Sequence, residues 1–198
     1  MNLPPVQLSL QFSPILRKSL EPKLHQALSR HRVKRAVSHA LRVALAHPKL
    51  SRASQPSPTT PAQIGIRVVG QDEGLELNEH YRKKAYATNV LTFPYALSPQ
   101  IWADVVLCGP VLVKEAKELG VTLESHCTHL IVHASLHALG FDHELGKREA
   151  LEMEALEVSI LKGLGVANPY QGSEPKSTRP VKKKSLPKQS KARRSISS

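Results

Sequence analysis

The stretch HASLHALGFDH, from His133 to His143, places the tightest constraint on how this 198-residue chain can fold. Two histidines four residues apart project from one face of a helix, one turn apart. Gly140 then permits a sharp turn that brings His143 back toward the same point. Three imidazoles converging with a fourth position open is the arrangement of a catalytic zinc, because structural zinc closes its shell with four protein ligands. Nitrogen ligands favour zinc over magnesium. Chance clustering among ten histidines yields a pair at this spacing readily, but not the glycine and the third histidine as well. His126 and His129 precede the motif on the same predicted helix, with no matching partner in the pattern. We therefore expect one Zn2+ per chain, held by His133, His137 and His143 in a cleft at the motif helix.

The residue after the first histidine is Ala134, where zinc peptidases carry a glutamate that takes a proton from water. A peptidase reading loses its general base. An anionic substrate relaxes that demand, since zinc itself lowers the pKa of bound water toward ~7 and stabilises charge on a phosphoryl oxygen. The motif therefore points to a phosphodiester.

Charge supports the same direction once it is divided along the chain. Residues 1–62 hold ten Lys/Arg and one acid, a net +9; residues 63–170 hold nine and fourteen, a net −5; residues 171–198 hold nine and one, a net +8. An acidic body between basic arms fits a polyanion partner, whose counterions are released on binding. Basic arms that only confer solubility would look the same. No apolar run reaches the ~18 residues that a membrane helix needs, so no membrane association is expected. Two cysteines, Cys108 and Cys127, build no disulfide framework. A reducing, cytoplasmic compartment is the expectation, with an Arg-rich, acid-poor organelle-targeting N-terminus as the lesser alternative.

Periodicity predicts an α+β domain over residues 1–170. Val6–Phe12 alternates as a half-buried strand. Leu24, Leu28, Val33, Val37, Leu41 and Leu45 mark one helix from Ser19 to His47, stopped by Pro48. Residues 51–62 read as a flexible loop. A strand over Ile64–Val69, a helix over Leu75–Tyr81, and strands over Asn89–Phe93 and Ile101–Cys108 follow. Helices over Val111–Leu119, Leu123–Leu139 and Lys147–Lys162 complete the body, the first of them ended by Gly120 and the second by Gly140. The expectation is a small mixed sheet of about four strands packed with about five helices. Residues 171–198 lack the apolar content to fold and read as a disordered basic tail. Its Lys182, Lys183, Lys184, Arg193 and Arg194 would either grip RNA nonspecifically or remain solvated.

Several stretches together resemble one family. HASLHALGFDH is similar to the HGxLHLxGYDH signature of the YbeY family, bacterial metal-dependent endoribonucleases of ribosomal RNA maturation. LNEHYRKKAYATNVLTFPY (Leu77–Tyr95), DVVLCGPVLVKEAKELG (Asp104–Gly120) and EMEALEVSILKGLGVANPY (Glu152–Tyr170) resemble it in the same order, over about residues 63–170. The resemblance implies an α+β fold, three histidines on one metal, usually zinc, and cleavage of single-stranded RNA. It also implies a part in 16S rRNA 3′-end processing and ribosome quality control, with RNA and the ribosome as partners. His133, His137 and His143 match the family's ligands, and Arg82 matches an arginine assigned to catalysis. Ala134, Ala103 and Lys83 stand where the family usually has glycine.

The roles left open are few. Arg82 would either fork onto the scissile phosphate or form a helix-end salt bridge. Asp142 would either orient a ligand imidazole or cap its turn. Beside the endoribonuclease reading stands a metal-containing ribosome-assembly factor that binds RNA with little cleavage of its own.

Overall fold

The computed structural model describes residues 3–16, 20–50 and 56–170. Four strands form one sheet in the order β1-β2-β4-β3. β1 (Val6–Phe12) runs parallel to β2 (Ala62–Val69), and β2 parallel to β4 (Trp102–Cys108); β3 (Val90–Ala96) closes the edge antiparallel to β4. The sheet is mixed, and six helices pack with it in an α+β domain.

The one predicted N-terminal helix is two, α1 (Glu21–Ala27) and α2 (Arg30–Leu45). Leu28 leaves helical geometry at φ −104° and ψ 37°, and Ser29 is extended at ψ 143° before the chain re-enters a helix. Ser29 stands at the N-cap of α2, and Val33 N donates to its backbone carbonyl. The leucine–valine stripe survives the break: Leu24, Leu28, Val33, Val37, Leu41 and Leu45 are all buried. The five-residue step from Leu28 to Val33 marks where one helical phase gives way to another. The tail residues, including Lys182, Lys183, Lys184, Arg193 and Arg194, lie outside the described residues, as do residues 51–55 of the predicted 51–62 loop, whose last residue, Ala62, already belongs to β2.

α3 (Gln71–Arg82) begins four residues before the predicted start, with Asp72 and Glu73 in its first turn where the helix dipole favours acids. α4 (Gly109–Glu118) leads into α5 (Leu123–Ala138), which is capped by the Thr122 hydroxyl accepting from Ser125 N. α5 is the central element. Leu130, Ile131, Val132, Ala134, Leu136 and Ala138 are buried on it, so it carries apolar residues around most of its circumference. α6 (Lys147–Leu164) buries Met153, Leu156, Ile160 and Leu161 and is the last helix among the described residues.

α3 ends on Lys83 in the left-handed region, φ 57°, with its backbone N–H returned to Glu79 O. A lysine pays steric strain there that glycine avoids. Lys83 is exposed, and its ammonium only returns to His80 O. Lys83→Gly should therefore stabilise the domain by about 1 kcal/mol in urea unfolding; an unchanged or lower midpoint would contradict the strain.

Candidate metal centre and its cleft

Two turns of α5 and the loop after it build the site. His133 and His137 lie one turn apart, with Nε2 atoms 3.1 Å from each other. The helix then closes through Gly140 N to His137 O and Phe141 N to Leu136 O, the pairing of a glycine C-cap. Gly140 takes φ 82°, a conformation for which a side chain is penalised. Phe141, buried at 1% exposure, pins the loop into the core. His143 consequently returns to the motif helix, its ring centroid 5.2 Å from each of the other two.

One ligand nitrogen from each of the three histidines lies within 4.8 Å of the others. Tetrahedral coordination at zinc–nitrogen lengths requires nitrogens roughly 3.3 Å apart. The His133–His137 separation is close to that value, and His143 on its exposed loop is within small adjustment of it. The donor set thus fits a divalent ion of nitrogen preference.

Behind this face, Glu157 of α6 is 1% exposed. His133 Nδ1 donates to its Oε1 at 2.6 Å and His129 Nε2 donates to its Oε2 at 3.2 Å. The Tyr170 hydroxyl donates to the same Oε2. Because an ionised carboxylate only accepts, His133 must carry its proton on Nδ1, which leaves the Nε2 lone pair directed at the site. Burial alone would raise the Glu157 pKa, but the hydrogen bonds from His129 and His133 outweigh it and hold the carboxyl at about 2. Burial, reinforced by the neighbouring His133 and His143, pushes His137 down to about 4. The site thus has His137 held neutral by burial and His133 anchored to a buried carboxylate.

His126 also has a partner that its sequence spacing did not reveal. Its Nε2 donates to Glu115 Oε2 at 2.8 Å, and Asn89 Nδ2 donates to both oxygens of the same carboxylate. This buried histidine ties α5 to α4 and to the start of β3. His129 likewise bonds Glu157, so neither is an isolated member of a chance cluster. Cys108 and Cys127 are buried free thiols, and burial pushes Cys127 up to about 12.

The histidines open onto a cleft of about 820 Å³ whose walls include Arg82, Asn89, Thr92, Phe93, Asp142 and Glu144. Arg82, at the C-terminal end of α3, reaches the cleft and pairs with Glu144 from the loop beside His143. Asp142 Oδ1 accepts from Glu144 N at 2.8 Å, so it caps the turn that presents both Glu144 and His143. Ala134 is buried in the core and brings no carboxylate to the cleft. Glu157, Tyr170 and Glu144 were the residues that sequence reasoning missed. A buried acid on an otherwise apolar helix face was the available signal for Glu157.

Two outcomes follow. Glu157→Gln should weaken metal affinity about 10- to 100-fold, measured by competition with a chromogenic chelator; undiminished affinity would remove Glu157 from the site. In the metal-free protein, the depressed His137 value means that the unfolded chain binds more protons than the folded one between pH 6.5 and about 4. Stability present above pH 6.5 should be lost as pH falls through that window in urea unfolding with chelator. The Glu157 contribution should persist there and fail only as pH drops from 4.5 toward about 2. A flat profile from 6.5 to 4 would contradict the burial of His137.

Comparison with known proteins agrees with this geometry. The family model described as "Endoribonuclease YbeY" matches residues 21–165. An "Endoribonuclease YbeY" from Polaromonas naphthalenivorans is 47% identical over 172 residues, covering 86% of this chain and 100% of the relative. A second from Polaromonas sp. is 51% identical over 144 residues, covering 73% of this chain and 82% of its own. A third from Delftia acidovorans is 46% identical over 171 residues, covering 86% and 99%. With a family model spanning most of its length and relatives matched nearly end to end, this chain belongs to the endoribonuclease YbeY family.

Proposed function

We propose that this chain is a zinc-dependent endoribonuclease that cuts single-stranded RNA, acting in the cytoplasm on ribosomal RNA at the 3′ end of the 16S species and in ribosome quality control. One observation carries the reading. Three imidazoles converge on the wall of a cleft that also receives an arginine, in a chain whose relatives are named as endoribonucleases.

His133, His137 and His143 would hold the ion, which when bound supplies a Lewis acid for a phosphoryl oxygen. The remaining work falls to side chains already in place. Glu157 fixes the His133 tautomer and orientation. Arg82 offers a planar fork of donors matched to a phosphate, and its pairing with Glu144 keeps that fork at the cleft in the absence of RNA. A phosphodiester bound against it would replace the Glu144 carboxylate with a second anion of the same bidentate habit. The buried Ala134 leaves no acid in the position from which a peptidase draws its base, which supports a phosphodiester over a peptide. The basic tail, including Lys182, Lys183, Lys184, Arg193 and Arg194, would add nonspecific affinity for the ribosome and its RNA.

The test uses purified chain, single-stranded RNA and a peptide substrate, with and without chelator. Metal-restored scission of the RNA alone is expected. Arg82→Ala should lower kcat about 100-fold or more while bound zinc, measured by elemental analysis, stays at the wild-type level. RNA binding without scission would replace this reading with that of an assembly factor.

A further inference from the structure

We propose that the part of the sheet face left exposed beside α3 is a stacking platform for the bases of single-stranded RNA, leading the strand into the histidine cleft. The proposal rests on the endoribonuclease reading and names where its substrate lies beyond the scissile bond.

Most of the helices pack on one face of the sheet; α3 packs over part of the other, with Gly74 against Cys108 and Glu73 paired to Arg67. Beside it stands a row of exposed rings, the Tyr81 ring coming from α3 itself. Trp102 is 49% exposed, Tyr95 54% and Tyr81 58%. They stand in two pairs. Tyr95 and Trp102 have ring centroids 4.8 Å apart, and Tyr81 and Phe93 are likewise 4.8 Å apart. In register, Phe93 lies opposite Asp104, two residues along β4 from Trp102, so the pairs are spaced by about 7 Å along the strand. The two pairs are not separate from the cleft. Tyr81 and Phe93 line both the groove on the sheet face and the cleft that holds the histidines.

This face is built, not merely left uncovered. Tyr95 sits at a bulge, where Pro94 opposes Ala103 and Ala96 opposes Trp102. The Tyr95 hydroxyl donates to Asp104 Oδ2 at 3.1 Å, which holds the ring in place. Asp104 in turn lies across Gly65, where a Cβ would come within 2.1 Å of its Oδ1. Any side chain at that position would displace the carboxylate that secures the ring.

The occupant follows from the surroundings. β3 is an edge strand, but Pro94 within it lacks a backbone donor, which opposes addition of a protein strand. Ser9, Gln11 and Arg67 share the groove with the rings, offering hydrogen-bond groups to a polar, phosphate-bearing strand. Exposed rings beside positive charge are what successive bases stack upon. Arg82, Lys83 and Lys84 follow directly after Tyr81, placing positive charge for the phosphates at the end that meets the cleft. A duplex keeps its bases stacked on each other and cannot use such rings.

Trp102 is the only tryptophan in the chain, so its emission reports on the platform without a label. Zinc-loaded protein would be mixed with a short oligoadenylate and read by stopped-flow fluorescence before turnover. Quenching by the single strand is expected, and none by the same strand in a duplex. In anisotropy titrations with labelled oligoadenylate, Tyr95→Leu and Trp102→Leu should each raise Kd about tenfold, the loss of one stacked base. Trp102→Phe, which keeps a ring, should retain most of the affinity and guards against a folding defect. RNA that is cleaved without quenching, with Kd unmoved in both leucine variants, would overturn the platform and leave the endoribonuclease reading intact. Equal quenching by the duplex would also overturn it. Quenching and weakened Kd in a protein that cuts no RNA would sustain the platform while removing the nuclease.

Discussion

The Glu157 carboxylate is the interaction on which the site depends. A charge with 1% exposure is tolerated only when its lone pairs are satisfied, and here His133, His129 and Tyr170 all donate to it. The first two come from α5, the third follows the end of α6, and the acid itself is on α6. One buried anion therefore locks the motif helix against the last helix and sets the proton on His133. Packing and chemistry share the same bond: the hydrogen bond that satisfies Glu157 also frees the opposite nitrogen of His133 for a metal. Removing either partner would leave the other buried and unsatisfied, which is the more damaging half of such a pairing.

From that anchor the rest is local geometry. α5 is surrounded by apolar neighbours, so its axis cannot shift without disturbing the core. His133 and His137 inherit this rigidity. His143 does not lie on the helix, yet Phe141 is buried two residues before it and Asp142 caps the turn. A rigid pair plus one tethered loop ligand gives a donor set with a single adjustable member, suited to closing on an ion.

What could be read directly in the residues is what repeats over short distance. The alternation of Val6–Phe12, the stripe from Leu24 to Leu45, and the spacing of the histidine motif each depend on a period set by the backbone. The four strands and the α+β class followed from these. The break at Leu28–Ser29 was missed because a stripe can continue across two helices if both pack on the same core. Glu157, 24 residues from His133, and Glu144, 62 residues from Arg82, were missed because no period links them. The apparent lack of partners for His126 and His129 had the same origin. Their acids come from α4 and α6, which only the tertiary fold brings alongside. Likewise Asp142 had two roles open in the sequence, and only the position of Glu144 N showed that it caps the turn.

The Arg82–Glu144 pair reconciles two readings of the arginine that the sequence presented as rivals. Its side chains are 36% and 58% exposed, and an ion pair in such surroundings contributes no more than about 1 kcal/mol. Holding Arg82 this way stabilises the fold little, and releasing it costs little. A phosphodiester offers the same bidentate geometry with the same single charge, and it would bind beside the three imidazoles of the cleft. A strong buried pair would have removed the arginine from service, whereas a free one would have spread over many rotamers. A weak, exposed salt bridge at the lip of the cleft does neither, so the helix-end salt bridge and the phosphate fork are two states of one side chain.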